Sequence, residues 1–374
     1  MFFSHRYPSD CIIKQISQNI AVQRNIFVSS PQKNSYYCML EQNTELSSYG
    51  FAKKKICIII NPISGTSSKE KIPVLAKKMF DSDKFELEII KTEYAGHAPK
   101  IVQKALDENF DCIVAAGGDG TVNEIARTMV HSNAVMGIIP LGSGNGLARD
   151  LGISMDSKKA IETIIAGNVM TIDYCKADGH AFFCTCGVGF DAIVTERFSE
   201  GKKRGPISYV RSAITEYFKF KPDVYKITLD DGIIIEEKAF LVTCANASQY
   251  GNNAYIAPNA NISDGKMDIV VLAPILPIDV GPIAVQLFTR QIGSNQRVSH
   301  YRSGTVKINR SKPGPMHIDG EPVYSGKEIL IEIIPSGLNM ITPKEGSQVL
   351  PIQRPIEDIQ LFFREFFQRF EFLK

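Results

Sequence analysis

No apolar stretch in this chain reaches the ~18 residues that a membrane-spanning helix needs. The nearest, Leu272 to Phe288, is interrupted by Pro274, Pro277, Asp279, Gly281 and Pro282, so no span is expected. An excess of charge of either sign is also missing: 42 basic residues face 40 acidic ones, a formal net charge of +2. So balanced a chain lacks the field of a nucleic-acid binder, although a local basic cluster can still meet an anionic bilayer. Cysteine is present without pattern. The eight, at 11, 38, 57, 112, 175, 184, 186 and 244, have no framework spacing, and reduced core thiols of a cytoplasmic protein are expected rather than disulfides. Cys184 and Cys186 share a strand face but have no second ligand pair, which argues against zinc. The start of the chain carries His5, Arg6, Asp10 and Lys14 and no uninterrupted apolar region of the kind a secretory signal needs.

What is present is a globular composition, 44% hydrophobic and 22% charged over 374 residues, long enough for two domains. Residues 1–53 have mixed composition and little periodicity and read as an extension of unknown structure. Over 54–168, short apolar runs (Ile56 to Ile60, Phe85 to Lys91, Cys112 to Ala116, Val135 to Pro140) alternate with helical stretches (Lys69 to Phe80, Ala98 to Glu108, Val122 to Val130). That alternation predicts a parallel sheet with helices on both faces. Over 169–335 the runs become strands separated by turns, predicting an antiparallel β-sandwich, with one helix near Ser208 to Phe218. Residues 336–374 carry a C-terminal amphipathic helix with Ile359, Phe362, Phe363, Phe366 and Phe370 at helical spacing, expected to return to the first domain.

Three polar glycine loops follow predicted strands of the first domain. Gly117-Gly118-Asp119-Gly120-Thr121 stands between a strand and a helix, where glycines admit close backbone approach and the helix start aims N–H groups at phosphate. Asn61-Pro62-Ile63-Ser64-Gly65 and Leu141-Gly142-Ser143-Gly144-Asn145-Gly146 occupy the same strand-to-helix position. Ligands of open α/β sheets bind at the carboxyl ends of strands, so the three loops should converge on one phosphate-bearing ligand. None fits a Walker loop or the glycine fingerprint of a dinucleotide fold. In the second domain, Ser263-Asp264-Gly265 and His317-Ile318-Asp319-Gly320-Glu321 form acidic turns. Asp-Gly is most often simply a hairpin turn, but Asp319 and Glu321 bracket one glycine and, in an extended segment, share a side.

The ordered set NPISG, GGDGTVNE, PLGSGN, GVGFDA (Gly187–Ala192), GPISYV (Gly205–Val210), APNANISDGKMDIV and HIDGE resembles the diacylglycerol kinase catalytic domain family over roughly residues 54–345. That family includes bacterial lipid kinases, eukaryotic diacylglycerol kinases and sphingosine and ceramide kinases. The resemblance implies a nucleotide-binding α/β domain joined to a β-sandwich lipid domain, using ATP and Mg²⁺ to phosphorylate a lipid hydroxyl, most readily that of diacylglycerol. It matches Asn61, Pro62, Ile63, Ser64, Gly65, Thr92, Gly117, Gly118, Asp119, Gly120, Thr121, Val122, Asn123 and Ser143 to ATP-contacting positions. It matches Asp319 to the general base, Glu321 to a neighbouring ATP-site acid, and Asn261, Asp264 and Lys266 to a structural Mg²⁺ site. Asp119 is the rival base, because GGDGT also occurs in NAD kinases.

Two departures from the family pattern matter, the first of them for the acceptor. Bacterial diacylglycerol kinases usually carry Asp where this chain has Gly146, which brings the third loop closer to sphingosine and ceramide kinases. The glycine cluster before the Ala-Pro motif is altered to Gly251-Asn252-Asn253. A sphingosine- or ceramide-type kinase, an NAD kinase and a non-catalytic sensor are therefore the alternatives, in that order. A lipid acceptor and no spanning helix imply a peripheral protein of the inner membrane face, a homodimer being compatible. The basic run Lys202, Lys203, Arg204 is one expected means of reversible membrane contact.

Overall fold

In the computed structural model, residues 53–63, 69–200 and 216–344 are described. The apolar runs of the first half become β1 (Lys54–Ile60), β2 (Phe85–Lys91), β3 (Cys112–Gly117) and β4 (Val135–Pro140), hydrogen-bonded in parallel in the order β2-β1-β3-β4. Between them run α1 (Lys71–Met79), α2 (Ala98–Asp107) and α3 (Asp119–Met129), followed by α4 (Gly146–Asp150) and α5 (Ser157–Ala166). Side chains alternate across a strand, so one strand feeds two cores. Cys57, Ile59, Ile113, Ala115 and Met136 pack with Val102 of α2 and Ile125 of α3. Ile56, Ile58, Val114 and Ala116 pack with Ile72 of α1 and Ile161 of α5. A sheet covered on both faces explains why these strands read as continuous apolar runs rather than alternating ones.

The second half contributes β5 (Val169–Ala177), β6 (His180–Phe182), β7 (Thr185–Gly189), α6 (Phe190–Glu200), β8 (Asp223–Leu229), β9 (Ile234–Ala239), β10 (Leu241–Ala245) and β11 (Met267–Leu272). After these come α7 (Pro277–Phe288), β12 (Val298–Ser303), β13 (Thr305–Arg310), β14 (Gly314–Ile318), β15 (Glu321–Ser325) and β16 (Glu328–Ile341). One antiparallel sheet has the order β12-β11-β10-β7-β14-β15. It packs Val188, Val242, Ile269 and Ile318 against Ile227, Val306, Ile308 and Ile331 of the facing sheet, which makes the sandwich.

The facing sheet is not separate from the parallel one. β16 pairs with β13 and β5 and then meets β4 through Met340 and Met136, so ten strands form a single sheet running through both lobes. The stretch Leu272 to Phe288, read as broken by its prolines, holds a helix: Pro277 takes a first-turn position where no N–H is needed, and Pro282 lies inside. GVGFDA divides between the end of β7 and the start of α6. The expected extension over 1–52, the basic run at 202–204, most of the helix around 208–218 and the amphipathic helix over 356–372 lie outside the described residues.

Candidate functional site: a cleft between two glycine loops and the Asp319 hairpin

The three glycine loops lie together at the carboxyl ends of β1, β3 and β4. Asn61 links the first two: its Oδ1 accepts the Ile63 N–H at 2.9 Å and its Nδ2 donates to Thr121 Oγ1 at 3.0 Å. Asp119 links the second to the third: its Oδ2 accepts the Asn145 N–H at 2.9 Å and its Oδ1 the Gly146 N–H at 2.7 Å. Asn145, held at φ 51°, closes its own loop by accepting from Gly142 N at 3.0 Å and donating to Gly142 O at 2.7 Å. The contact between loops is as close as backbone allows. A Cβ on Gly142 would stand 2.7 Å from Gly118 Cα, and one on Gly118 would stand 3.3 Å from Gly142 Cα. The α3 N-terminus, preceded by extended Gly118, has no side-chain cap. Its N–H groups and dipole are therefore available to an anion.

Asp319 and Gly320 form the two-residue turn between β14 and β15, with φ 51° and 78° and Ile318 paired to Glu321. Asp-Gly suits this left-handed turn. The turn is also chemical. Asp319 Oδ2 accepts the Phe183 N–H at 2.9 Å, and Oδ1 accepts those of Cys184 at 2.8 Å and Thr185 at 3.0 Å. A carboxylate has about four acceptor positions, so Oδ2 keeps one free. Burial pushes the Asp319 pKa up, while the three N–H donors and Arg127 pull the other way. Glu321 pairs with Arg127 of α3 at 3.0 Å, and Arg127 Nε donates to Ala181 O at 3.0 Å, tying the hairpin to the helix that bears the second glycine loop.

Asp119, Asn123, Gly146, Thr185, Tyr250 and Asp319 line one cleft. Asn123 is 3% exposed, and its Nδ2 is a buried donor without a hydrogen-bond partner among the described residues. Such a group is costly unless a ligand satisfies it. Orphan donor, uncapped helix start and loops too tight for a Cβ together fit a nucleotide phosphate chain. Thr92 is buried beside the first loop, its N–H on Ile60 O at 2.9 Å, and Ser143 is exposed on the third. Pro62 and Ile63 are exposed, while Ser64 and Gly65 lie outside the described residues.

The residues matched to a structural Mg²⁺ site do not form a cation cage as they stand. Asn261 Oδ1 accepts from Ser263 N and Oγ, both at 3.1 Å, Asp264 Oδ1 accepts from Lys266 N at 3.2 Å, and Asp264 Oδ2 pairs with Arg302. They build a self-satisfied turn instead. Buried Asp173 secures that turn by accepting Gly265 N–H at 2.7 Å and Ser336 N–H at 2.7 Å.

Sequence reasoning missed the far wall. Tyr250 hydrogen-bonds Thr243 Oγ1 at 2.7 Å and Asp191 Oδ2 at 3.3 Å, and Asp191 Oδ2 also meets His317 Nε2 at 3.1 Å. The loop carrying Tyr250 rests on the third glycine loop through Asn252 N–H to Gly144 O at 3.0 Å. Arg149 supports both sides, donating to Gly144 O at 2.9 Å and Asn253 Oδ1 at 3.3 Å. The one available signal was the altered Gly251-Asn252-Asn253, whose three residues all have positive φ.

With this geometry in view, the similarities to known proteins are consistent in both lobes. A model of the diacylglycerol kinase catalytic domain matches residues 55–177, and one of the YegS C-terminal NAD kinase beta sandwich-like domain matches residues 184–342. The chain is 29% identical over 279 residues to the diacylglycerol kinase of Bacillus subtilis (strain 168), covering 73% of this chain and 91% of that protein. It is 29% identical over 272 residues to a probable YegS-like lipid kinase of Stenotrophomonas maltophilia (strain K279a), covering 69% and 87%. The crystal structure of a diacylglycerol kinase from Bacillus anthracis str. Sterne superposes with a TM-score of 0.62 at 23% identity, over 80% of this chain and all of that one, and so shares its fold. Catalytic-domain match over the glycine loops and sandwich match over the Asp319 hairpin agree: the chain carries a diacylglycerol kinase catalytic domain at residues 55–177, followed by a YegS C-terminal NAD kinase beta sandwich-like domain at residues 184–342.

Proposed function

We propose that the protein transfers the γ-phosphoryl group of ATP to a lipid hydroxyl, with diacylglycerol as the first acceptor and phosphatidic acid as its product. One observation carries this reading: Asp319, with an acceptor position free on Oδ2, lines the same cleft as the uncapped α3 N-terminus and the unpartnered Asn123 amide. The glycine loops and the start of α3 hold the phosphates. Asn123 donates to the nucleotide, and Asp319 accepts the proton of the attacking hydroxyl. Phosphoryl transfer asks a protein mainly for position and electrostatic stabilisation, and rigid backbone donors supply both. Mg²⁺ bound with the nucleotide would neutralise phosphate charge. Asp119 braces the third loop, each of its oxygens accepting one backbone N–H of that loop, and stands as the rival base.

A second acceptor class is favoured by one observation. Gly146 packs on the Tyr250 loop, where a Cβ would make ordinary contact with Tyr250 O at 3.4 Å and Gly251 N at 3.5 Å, and it stands where the family usually carries Asp. The acceptor side here is walled by a phenol ring and lacks that carboxylate, which keeps sphingosine and ceramide as acceptors to test. ATP consumption measured with diacylglycerol, sphingosine, ceramide and NAD separately distinguishes these outcomes. Turnover is expected with diacylglycerol. Turnover with NAD alone overturns the proposal, and binding without turnover of any acceptor makes the protein a sensor.

A further inference from the structure

The sequence of α7, Pro-Ile-Asp-Val-Gly-Pro-Ile-Ala-Val-Gln-Leu-Phe, has one charged residue and one amide in 12 residues. A helix on the surface of a globular protein normally turns charged residues outward. This one does not. Ile283 and Ala284 are buried, Ile283 among Phe240, Leu241, Leu272 and Ile292. On the outer side Leu276 is 58% and Ile278 79% exposed, Pro282 is exposed, and Val285 and Phe288 are half-buried. Ile278, Pro282 and Val285 follow one another at four- and three-residue spacing, so the exposed face is a continuous apolar stripe.

The charge around the stripe suits an anionic surface. Asp279, the one acid of the helix, accepts the Leu276 N–H at 2.8 Å and pairs with exposed Arg297 at 3.1 Å, which leaves no uncompensated negative charge. Just beyond the last turn, exposed Arg290 stacks 4.1 Å over Tyr255 and donates to its hydroxyl at 2.9 Å. That end of the helix is joined to the cleft wall. Leu287 O accepts the Tyr255 N–H at 2.9 Å, and Tyr255 pairs with Gln249, the neighbour of cleft-lining Tyr250.

We propose that the outer face of α7, led by Leu276 and Ile278, is the surface by which this protein lies on an anionic lipid bilayer. An apolar face with flanking arginines is the composition of a helix that rests in the membrane interface with its apolar side submerged. Lying flat, α7 brings the Tyr250 wall to the interface, where a lipid hydroxyl enters. The proposal rests on the lipid-kinase reading for its purpose, but its test is separable.

The full chain and a Leu276→Ser/Ile278→Ser variant are sedimented with vesicles of phosphatidylcholine containing one quarter phosphatidylglycerol. The variant should partition about tenfold or more weakly, because two exposed aliphatic side chains no longer leave water. Its melting temperature and its turnover of a water-soluble short-chain diacylglycerol should match wild type, since neither residue touches the cleft. Ile278→Gln alone covers the case in which the double replacement unsettles the fold. Equal partitioning of variant and wild type overturns the proposal. So does sedimentation velocity in which the wild type is a dimer that the variant breaks while vesicle binding is unchanged, because the face then joins two copies. A wild type that needs α7 to bind vesicles yet phosphorylates no lipid leaves the docking surface standing and removes the kinase reading instead.

Discussion

Asp319 takes its character from three backbone N–H groups and from burial, which oppose each other. Burial dominates and raises the pKa above that of a free aspartate, ~3.9. A base must be ionised to accept a proton, so the acid limb of the activity profile should lie above the ordinary carboxylate range, and activity should fall as pH drops through it. For stability the sign is reversed. A folded-state pKa above the unfolded one gives a contribution that is full at pH below the unfolded value and lost as pH rises through the folded one. Thermal unfolding of wild type and Asp319→Asn across pH checks this: the wild-type advantage should widen toward acid. The glycines make a second residue-scale prediction. Gly118→Ala needs the third loop to yield by a few tenths of an ångström, because its Cβ would stand 3.3 Å from Gly142 Cα. ATP affinity should drop several-fold with little change in melting temperature. Gly142→Ala is worse, meeting Gly118 Cα at 2.7 Å and Asn145 Oδ1 at 2.8 Å, and should lower both. Calorimetry with ATP and thermal melts on the two variants separate these outcomes.

At the scale of elements, the β14–β15 hairpin and α3 are joined by Glu321 and Arg127, whose side chains are 44% and 30% exposed. A pair so open to water contributes little to stability, at most about 1 kcal/mol. Glu321→Gln should therefore leave the melting temperature within about 2 °C while raising KM for ATP, and steady-state kinetics beside a melt checks both. Much of this was legible. Strand, glycine turn and helix start are local in sequence, so the three loops and the Asp319 turn could be read from the chain. The Arg127–Glu321 pair spans 194 positions and Asp191–His317 spans 126, and no local spacing announces either. Helix α7 was hidden for another reason. Its prolines look like breakers, yet Pro277 stands at the one place in a helix where a missing N–H costs nothing.

For the whole molecule, the alternation of short apolar runs with helices gave away the parallel sheet, and the change to turn-separated strands gave away the sandwich. Their fusion into one ten-stranded sheet was not legible, because β16 reaches β4 through the single pairing of Met340 with Met136. At this crossing β16 shifts register between Ile334 and Leu338, Ser336 has φ 52°, and Gly337 packs against the ring of Tyr174. Gly337 O also accepts the His131 N–H at 2.8 Å. Gly337→Ala overpacks this junction and should cost about 1–3 kcal/mol, seen by calorimetry as one transition lowered by several degrees. An unchanged transition would mean that Tyr174 can move aside freely. The central claim, ATP-dependent phosphorylation of a lipid hydroxyl with Asp319 as base, is tested most directly by transfer of label from γ-³²P-ATP to diacylglycerol in mixed micelles. Wild type should place label in phosphatidic acid. Asp319→Asn should bind ATP as well as wild type and transfer about 10²–10⁴-fold more slowly. No label in any lipid from wild type, or undiminished transfer by Asp319→Asn, would contradict it.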